Sequence, residues 1–141
     1  MKYLAWAVLS LGLLSAVPAK LAAQNASSGD VELGRNYPNP FNPETTIPFQ
    51  LRAGLFEGGH KPVVSLRIYN ILAQLVAVPI LQGSGEELDD LALDWNGTGQ
   101  YRAYWDGKVL GTGQEAASGV YVYQLIVDGR RVLSRRMTVI R

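Results

Sequence analysis

Cysteine is absent from this 141-residue chain. With it go disulfides, thiolate nucleophiles and the cysteine-based zinc or iron–sulfur sites. Histidine occurs once, as His60 in a glycine-containing stretch beside Lys61, with no serine or carboxylate pattern that would make it a catalytic base. There is no paired-carboxylate motif and no recognisable cofactor or metal motif, so neither an enzyme nor a bound cofactor is expected. Charge of one sign is also missing. Thirteen Lys and Arg stand against twelve Asp and Glu, for a net +1, which gives no general attraction to nucleic acid or anionic membranes. At 48% hydrophobic and 18% charged residues, the chain is neither a disordered polar polymer nor a membrane bundle.

What is present divides into three parts. Lys2 precedes an uncharged run over residues 3–17; Pro18 breaks it, and small residues follow at Ala19, Ala22 and Ala23. This is the pattern of a secretory signal peptide, with cleavage expected after Ala19 or Ala23. The run falls short of the ~20 residues that span a bilayer, so no membrane span is expected after cleavage. The protein is therefore read as exported, to the periplasm, outer surface or extracellular space. The expected division is a signal peptide over 1–23, a flexible polar lead-in over 24–35, and one domain over 36–141.

Within that domain the pattern is strands and turns. Pro38, Pro40 and Pro43 force residues 37–43 into an extended or turning arm. Residues 45–51 alternate, with Ile47, Phe49 and Leu51 on one face, and Pro48 suggests a sheet edge because it cannot donate a ladder hydrogen bond. Residues 63–70 form a strong strand with Val64, Leu66 and Ile68 inward, and Ser65 and Arg67 outward. Residues 74–80 read as its hairpin partner. The glycine-rich 54–62 segment is a loop. Segment 83–100 holds Glu86, Glu87, Asp89, Asp90 and Asp94, a turn at Asn96-Gly97, and Leu88, Leu91 and Leu93 to seat a short strand. Strands are expected over 101–105, 120–127 and 132–140, the last two joined by Asp128-Gly129, a pair suited to a type I′ turn. About seven short strands with regular turn signals argue an all-β, Ig-like antiparallel sandwich.

Several residue groups invite chemical readings. Asp106-Gly107 with Gly111, Gly113 and Ser118-Gly119 can be a cation loop or a set of tight turns; the acids do not follow a calcium-loop spacing. The 86–94 acids can bind calcium or simply face solvent. Trp95, Tyr101, Tyr104 and Trp105 can be a sugar-stacking platform or core and sheet surface. Asn25-Ala26-Ser27 and Asn96-Gly97-Thr98 fit the glycosylation triplet, which arises often by chance. The closing stretch concentrates positive charge in Arg130, Arg131, Arg135, Arg136 and Arg141. These are the candidate partner-binding residues, with edge protection as the alternative role. Arg135 and Arg136 should point to opposite faces.

Asn36-Tyr37-Pro38-Asn39-Pro40-Phe41-Asn42-Pro43-Glu44-Thr45-Thr46-Ile47 resembles the opening motif of the C-terminal sorting domains of bacterial type IX secretion cargo, and of the similar Ig-like domains named after the flagellar hook-capping protein. Four further blocks resemble the family in order: residues 66–72 (Leu-Arg-Ile-Tyr-Asn-Ile-Leu), Trp105-Asp106-Gly107, Ser118-Gly119-Val120-Tyr121-Val122-Tyr123, and the basic close from Arg135 to Arg141. The resemblance spans residues 33–141. It departs at Ala73, where the family usually has glycine, and in a longer 83–100 segment. The resemblance implies a seven-stranded sandwich with the Trp105 ring inside. It also implies a recognition tag read by a protein partner, a secretion translocon or envelope component; the near-neutral charge already argues against a nucleic-acid partner. The alternative it implies is a small structural or adhesive Ig-like envelope protein of the hook-capping type. The oligomeric state is left open.

Overall fold

The computed structural model describes residues 29–141. The expected signal peptide over 1–23 and the glycosylation triplet at Asn25 lie outside the described residues.

Nine strands form two antiparallel sheets packed face to face. They are β1 (Val31–Leu33), β2 (Thr45–Leu51), β3 (Val63–Tyr69), β4 (Leu75–Ala77), β5 (Ile80–Leu81), β6 (Leu91–Ala92), β7 (Gln100–Trp105), β8 (Gly119–Val127) and β9 (Arg131–Val139). The first sheet runs β1-β2-β7-β5. The second runs β4-β3-β8-β9, with β6 also paired to β3. The all-β sandwich expected from the alternation is what forms, with more strands than about seven because β1 is added and the 74–80 segment divides into β4 and β5.

The core follows the period-2 pattern. Ile47, Phe49 and Leu51 of β2 meet Val64, Leu66 and Ile68 of β3, and Tyr123, Leu125 and Val127 of β8 complete the layer; all are buried. At the start of the domain, Phe41 packs edge-on against Trp105 with ring centroids 5.3 Å apart. Tyr121 meets the same indole at 6.0 Å.

Four expectations are corrected. The sheet begins at Val31, inside the stretch read as a flexible lead-in: β1 pairs with β2, and Val31 and Leu33 are buried. Three residues are too few to show a period.

Pro48 is not at an edge, since β2 lies between β1 and β7. The Pro48 carbonyl accepts the Gly34 N–H at 2.8 Å. The donor that proline lacks would have faced the Gly34 carbonyl, and the Tyr123 hydroxyl takes that place at 2.7 Å. The ladder gap is thus filled from the other sheet.

Residues 74–80 are not one strand. β4 ends at Ala77, and after Val78-Pro79 the chain enters the first sheet as β5. Ser65, expected to face outward to solvent, is buried because the Asp90 segment covers it. Its hydroxyl accepts the Asp90 N–H at 2.8 Å and bonds the Asp90 carboxylate at 3.0 Å.

Other local expectations hold. Asp128 and Gly129 both take positive φ, 53° and 67°, as expected of the turn, and the Arg130 N–H closes it on the Val127 carbonyl at 3.1 Å; the connection is one residue longer than expected, because Val127 pairs with Arg131. Ala73 sits at φ 60°, the left-handed region that glycine adopts at less cost. The 54–62 loop winds partly into short 3₁₀ turns over Ala53–Gly59, seating Leu55 against the core.

Candidate functional site

The residues that carry the family resemblance converge on one end of the sandwich. Asn36 is buried; its backbone N–H donates to the Tyr123 hydroxyl at 3.1 Å. Its side-chain Nδ2 reaches the Pro38 carbonyl at 3.2 Å and Thr45 Oγ1 at 3.1 Å. These bonds curl the proline-rich arm back on β2, where Tyr37 bridges Thr46. The peptide bonds before Pro38, Pro40 and Pro43 are cis.

The arm then docks on the last strand. The Thr138 N–H donates to Asn39 Oδ1 at 3.1 Å, the Phe41 N–H to the Thr138 carbonyl at 3.1 Å, and the Ile140 N–H to the Phe41 carbonyl at 3.2 Å. Pro43 closes over the Trp105-Asp106-Gly107 turn. A Cβ at Gly107 would come within 1.9 Å of the Pro43 carbonyl oxygen, so only glycine fits there. Tyr123 supports the whole arrangement from below. Burial pushes its phenol up to about 12, against the opposing pull of the Asn36 N–H and the positive charges of Arg135 and Arg35.

The five arginines of the closing stretch separate into two groups. Arg131 pairs with Asp30 at 3.1 Å. Arg135 donates through Nε to the Leu33 carbonyl at 2.7 Å. Arg141 places its guanidinium on the Ala116 carbonyl and the Glu115 carboxylate, with a longer bond to the Gly107 carbonyl at 3.3 Å. Its N–H reaches Ser118 Oγ at 2.9 Å. These three tie β9 to the rest of the fold. Arg130, at the hairpin tip, and Arg136, on the outer side of β9, are exposed and make no ion pair among the described residues. Arg135 and Arg136 do face opposite ways, as their adjacency required.

The other sequence candidates resolve into structure. The Asp106 carboxylate accepts the Lys108 N–H at 3.0 Å, which is turn chemistry. Among the described residues no three His, Cys, Asp or Glu come together as a metal cluster. Trp105 and Tyr101 are buried, Tyr101 stacking on Phe49 with centroids 5.4 Å apart; Trp95 packs edge-on against Phe56. The four aromatics therefore present no common exposed plane. Asn96 Oδ1 accepts the N–H groups of Thr98 and Gly99 at 3.1 and 2.7 Å, bracing the turn at Gly97.

Two features escaped sequence reasoning. His60 Nε2 lies 2.9 Å from the Asp128 carboxylate, although the two are far apart in sequence. Burial works to raise the Asp128 carboxyl, yet the Val63 N–H and His60 hold it below its usual range. Nothing local signals that pairing. The second is the tip between β3 and β4, where Ile71 and Leu72 stand in solvent, 78% and 72% exposed. Two consecutive apolar residues at an expected turn were legible as an anomaly.

Among the described residues no helix is long and apolar enough to cross a membrane. No protein-family model and no curated protein matches the chain. Among solved structures, the crystal structure of dimeric latent PorU from Porphyromonas gingivalis contains a region of similar fold. The match has a TM-score of 0.56 and 18% identity, and covers 78% of this chain and 9% of that chain. At that identity the likeness is one of fold alone. The Pseudomonas fluorescens alkylpurine DNA glycosylase AlkC, bound to DNA containing an abasic site analog, aligns over 82% of this chain and 32% of its own. Its identity is 13% and its TM-score 0.49, too low to establish a shared fold. The matched region is a small part of the PorU chain.

Proposed function

We propose that the protein is an exported, non-catalytic recognition module of the type IX sorting-domain kind, read by a protein component of the secretion machinery or envelope. The observation that carries this reading is the convergence of the five resembling blocks. The arm at Asn36 to Pro43, the Ile68 strand, the Trp105 turn, the Tyr121–Tyr123 strand and the closing strand pack on one another as one clasp. The fold likeness to part of PorU supports the sandwich architecture that this reading requires. His60 supports the non-catalytic reading, because its partner is a turn aspartate that also caps Val63.

The test is mass spectrometry of both termini of the protein recovered from fractionated native cells. A sorting module is expected at the cell surface, with the β9 region removed or a new covalent attachment in its place. Recovery of the intact sequence through Arg141 in the periplasm would instead favour the structural, hook-capping type of role.

A further inference from the structure

The outer face of the second sheet carries an apolar row that core packing does not require. Strand register sets Leu75, Tyr69, Val122 and Arg136 side by side across β4, β3, β8 and β9. They stand on the side opposite buried Ile68 and Tyr123. Next to this row the chain reverses, and Ile71 and Leu72 project from the turn. Turn tips ordinarily carry Gly, Asn, Asp or Ser.

This tip is braced rather than loose. Asn70 Oδ1 accepts the N–H groups of Leu72 and Gln74 at 2.9 and 3.0 Å, and Asn70 Nδ2 donates to Gln74 Oε1 at 2.8 Å. The Ala73 N–H closes the turn on the Asn70 carbonyl at 3.0 Å. Polar bonds therefore hold two apolar side chains in water in a fixed geometry. Such preorganisation lowers the cost of ordering them on binding. Between the tip and β8 lies a groove of about 410 Å³, lined by Tyr69, Ile71, Val120, Val122 and Arg136.

Charge selects the occupant. The outward positions of β3, β4, β8 and β9 hold two arginines, Arg67 and Arg136, and no carboxylate. Arg67 is paired with Asp89 at 3.3 Å. Arg136 is exposed and has no ion-pair partner among the described residues. A second copy meeting this groove about a two-fold axis through it would set Arg136 against Arg136, away from the Asp89 and Asp90 carboxylates at the far end of the face, and that opposes association.

We propose that this groove docks an extended segment of a partner protein that presents an apolar side chain beside a carboxylate. The apolar group sits between Tyr69 and Val120, under the Ile71-Leu72 tip, and the carboxylate pairs with Arg136. The proposal rests on the recognition reading and adds to it a surface and the chemistry of the partner.

The test titrates two pools of short synthetic peptides onto the full chain, leucine alternating with glutamate in one and with lysine in the other. Methyl NMR shifts report the site. The glutamate pool is expected to shift Ile71, Leu72, Val120 and Val122, and the lysine pool to bind about tenfold more weakly. Arg136→Glu should reverse that preference. Ile71→Ser with Leu72→Ser should abolish binding while the thermal transition stays in place. The proposal is overturned by no binding of the glutamate pool at millimolar concentration, by equal binding of both pools, or by shifts elsewhere on the molecule. Concentration-dependent self-association lost in the serine variant would also overturn it, in favour of a second copy. The assay needs no export, so its failure leaves the sorting reading standing. Failure of the terminal mapping would in turn leave these shifts unchanged.

Discussion

On the inner side of the second sheet, Arg135 lies beside Tyr123 and gives its Nε–H to the Leu33 carbonyl. One residue on, Arg136 stands on the outer side, in line with Val122, Tyr69 and Leu75. The two sides of the sheet near this end use one stretch of sequence for different purposes. Inward residues are consumed by the clasp: Tyr123 bonds Gly34 and Asn36, Tyr121 packs on Trp105, and Arg135 holds β1. Outward residues are apolar without being buried, and Arg136 among them has no ion-pair partner among the described residues. A recognisable motif can therefore be chiefly architecture, while the surface free to meet a partner lies on its reverse.

The comparison breaks most visibly where an inward ring is removed. Trp105→Ala should cost about 3–5 kcal/mol in urea unfolding, because Phe41 and Tyr121 lose their shared neighbour. A cost near that of a surface substitution would mean that the arm is not part of the folding unit.

Tyr123→Phe should cost about 2–3 kcal/mol, since the Gly34 carbonyl and the Asn36 N–H both lose a partner that water cannot easily replace. The phenol also sets a pH dependence. Its value rises from 10.0 to about 12 on folding, so the folded state favours the neutral form. That contribution is complete below pH 10 and is lost as pH climbs through 12. Equilibrium unfolding at stepped alkaline pH should show the gap between wild type and Tyr123→Phe shrinking over that window.

The arginine neighbours sharpen the contrast further. Arg135→Ala should lower stability by about 1–2 kcal/mol through the lost charge-assisted bond to Leu33. Arg136→Ala should fall within about 0.5 kcal/mol of wild type, as surface substitutions do. Equal effects at the two positions would erase the distinction between the faces. Ala73→Gly should raise the melting midpoint slightly by relieving a left-handed alanine, a gain of about 0.5–1 kcal/mol. Faster local exchange at the Asn70 and Gln74 amides in that variant would report a looser tip.

Much of this architecture was legible because it is written locally. The Asp128-Gly129 turn, the alternation of β2, β3 and β8, and the opposed directions of Arg135 and Arg136 follow from turn chemistry and period alone. What was missed depends on partners distant in sequence. Pro48 signalled an edge by its missing donor, and nothing nearby revealed that Tyr123 would fill the gap. Val31 to Leu33 is too short to declare itself a strand, and becomes one only against β2. The break at Pro79 moved the chain from one sheet to the other, a change of layer that hydrophobic pattern does not encode. In the candidate site, the arginine cluster was visible as charge, but its division into three structural and two exposed members needed Asp30, Leu33 and the Glu115 segment in place.

The most direct test of the division between faces is site-specific photo-crosslinking in native cells. A photoreactive side chain is placed at Leu72 or Val120 on the outer face of the second sheet, and at Gln50 or Arg102 on the outer face of the first. The account predicts a discrete protein adduct from Leu72 and Val120 and none from the other two positions. Adducts from Gln50 or Arg102 alone, or from none of the four, would contradict it.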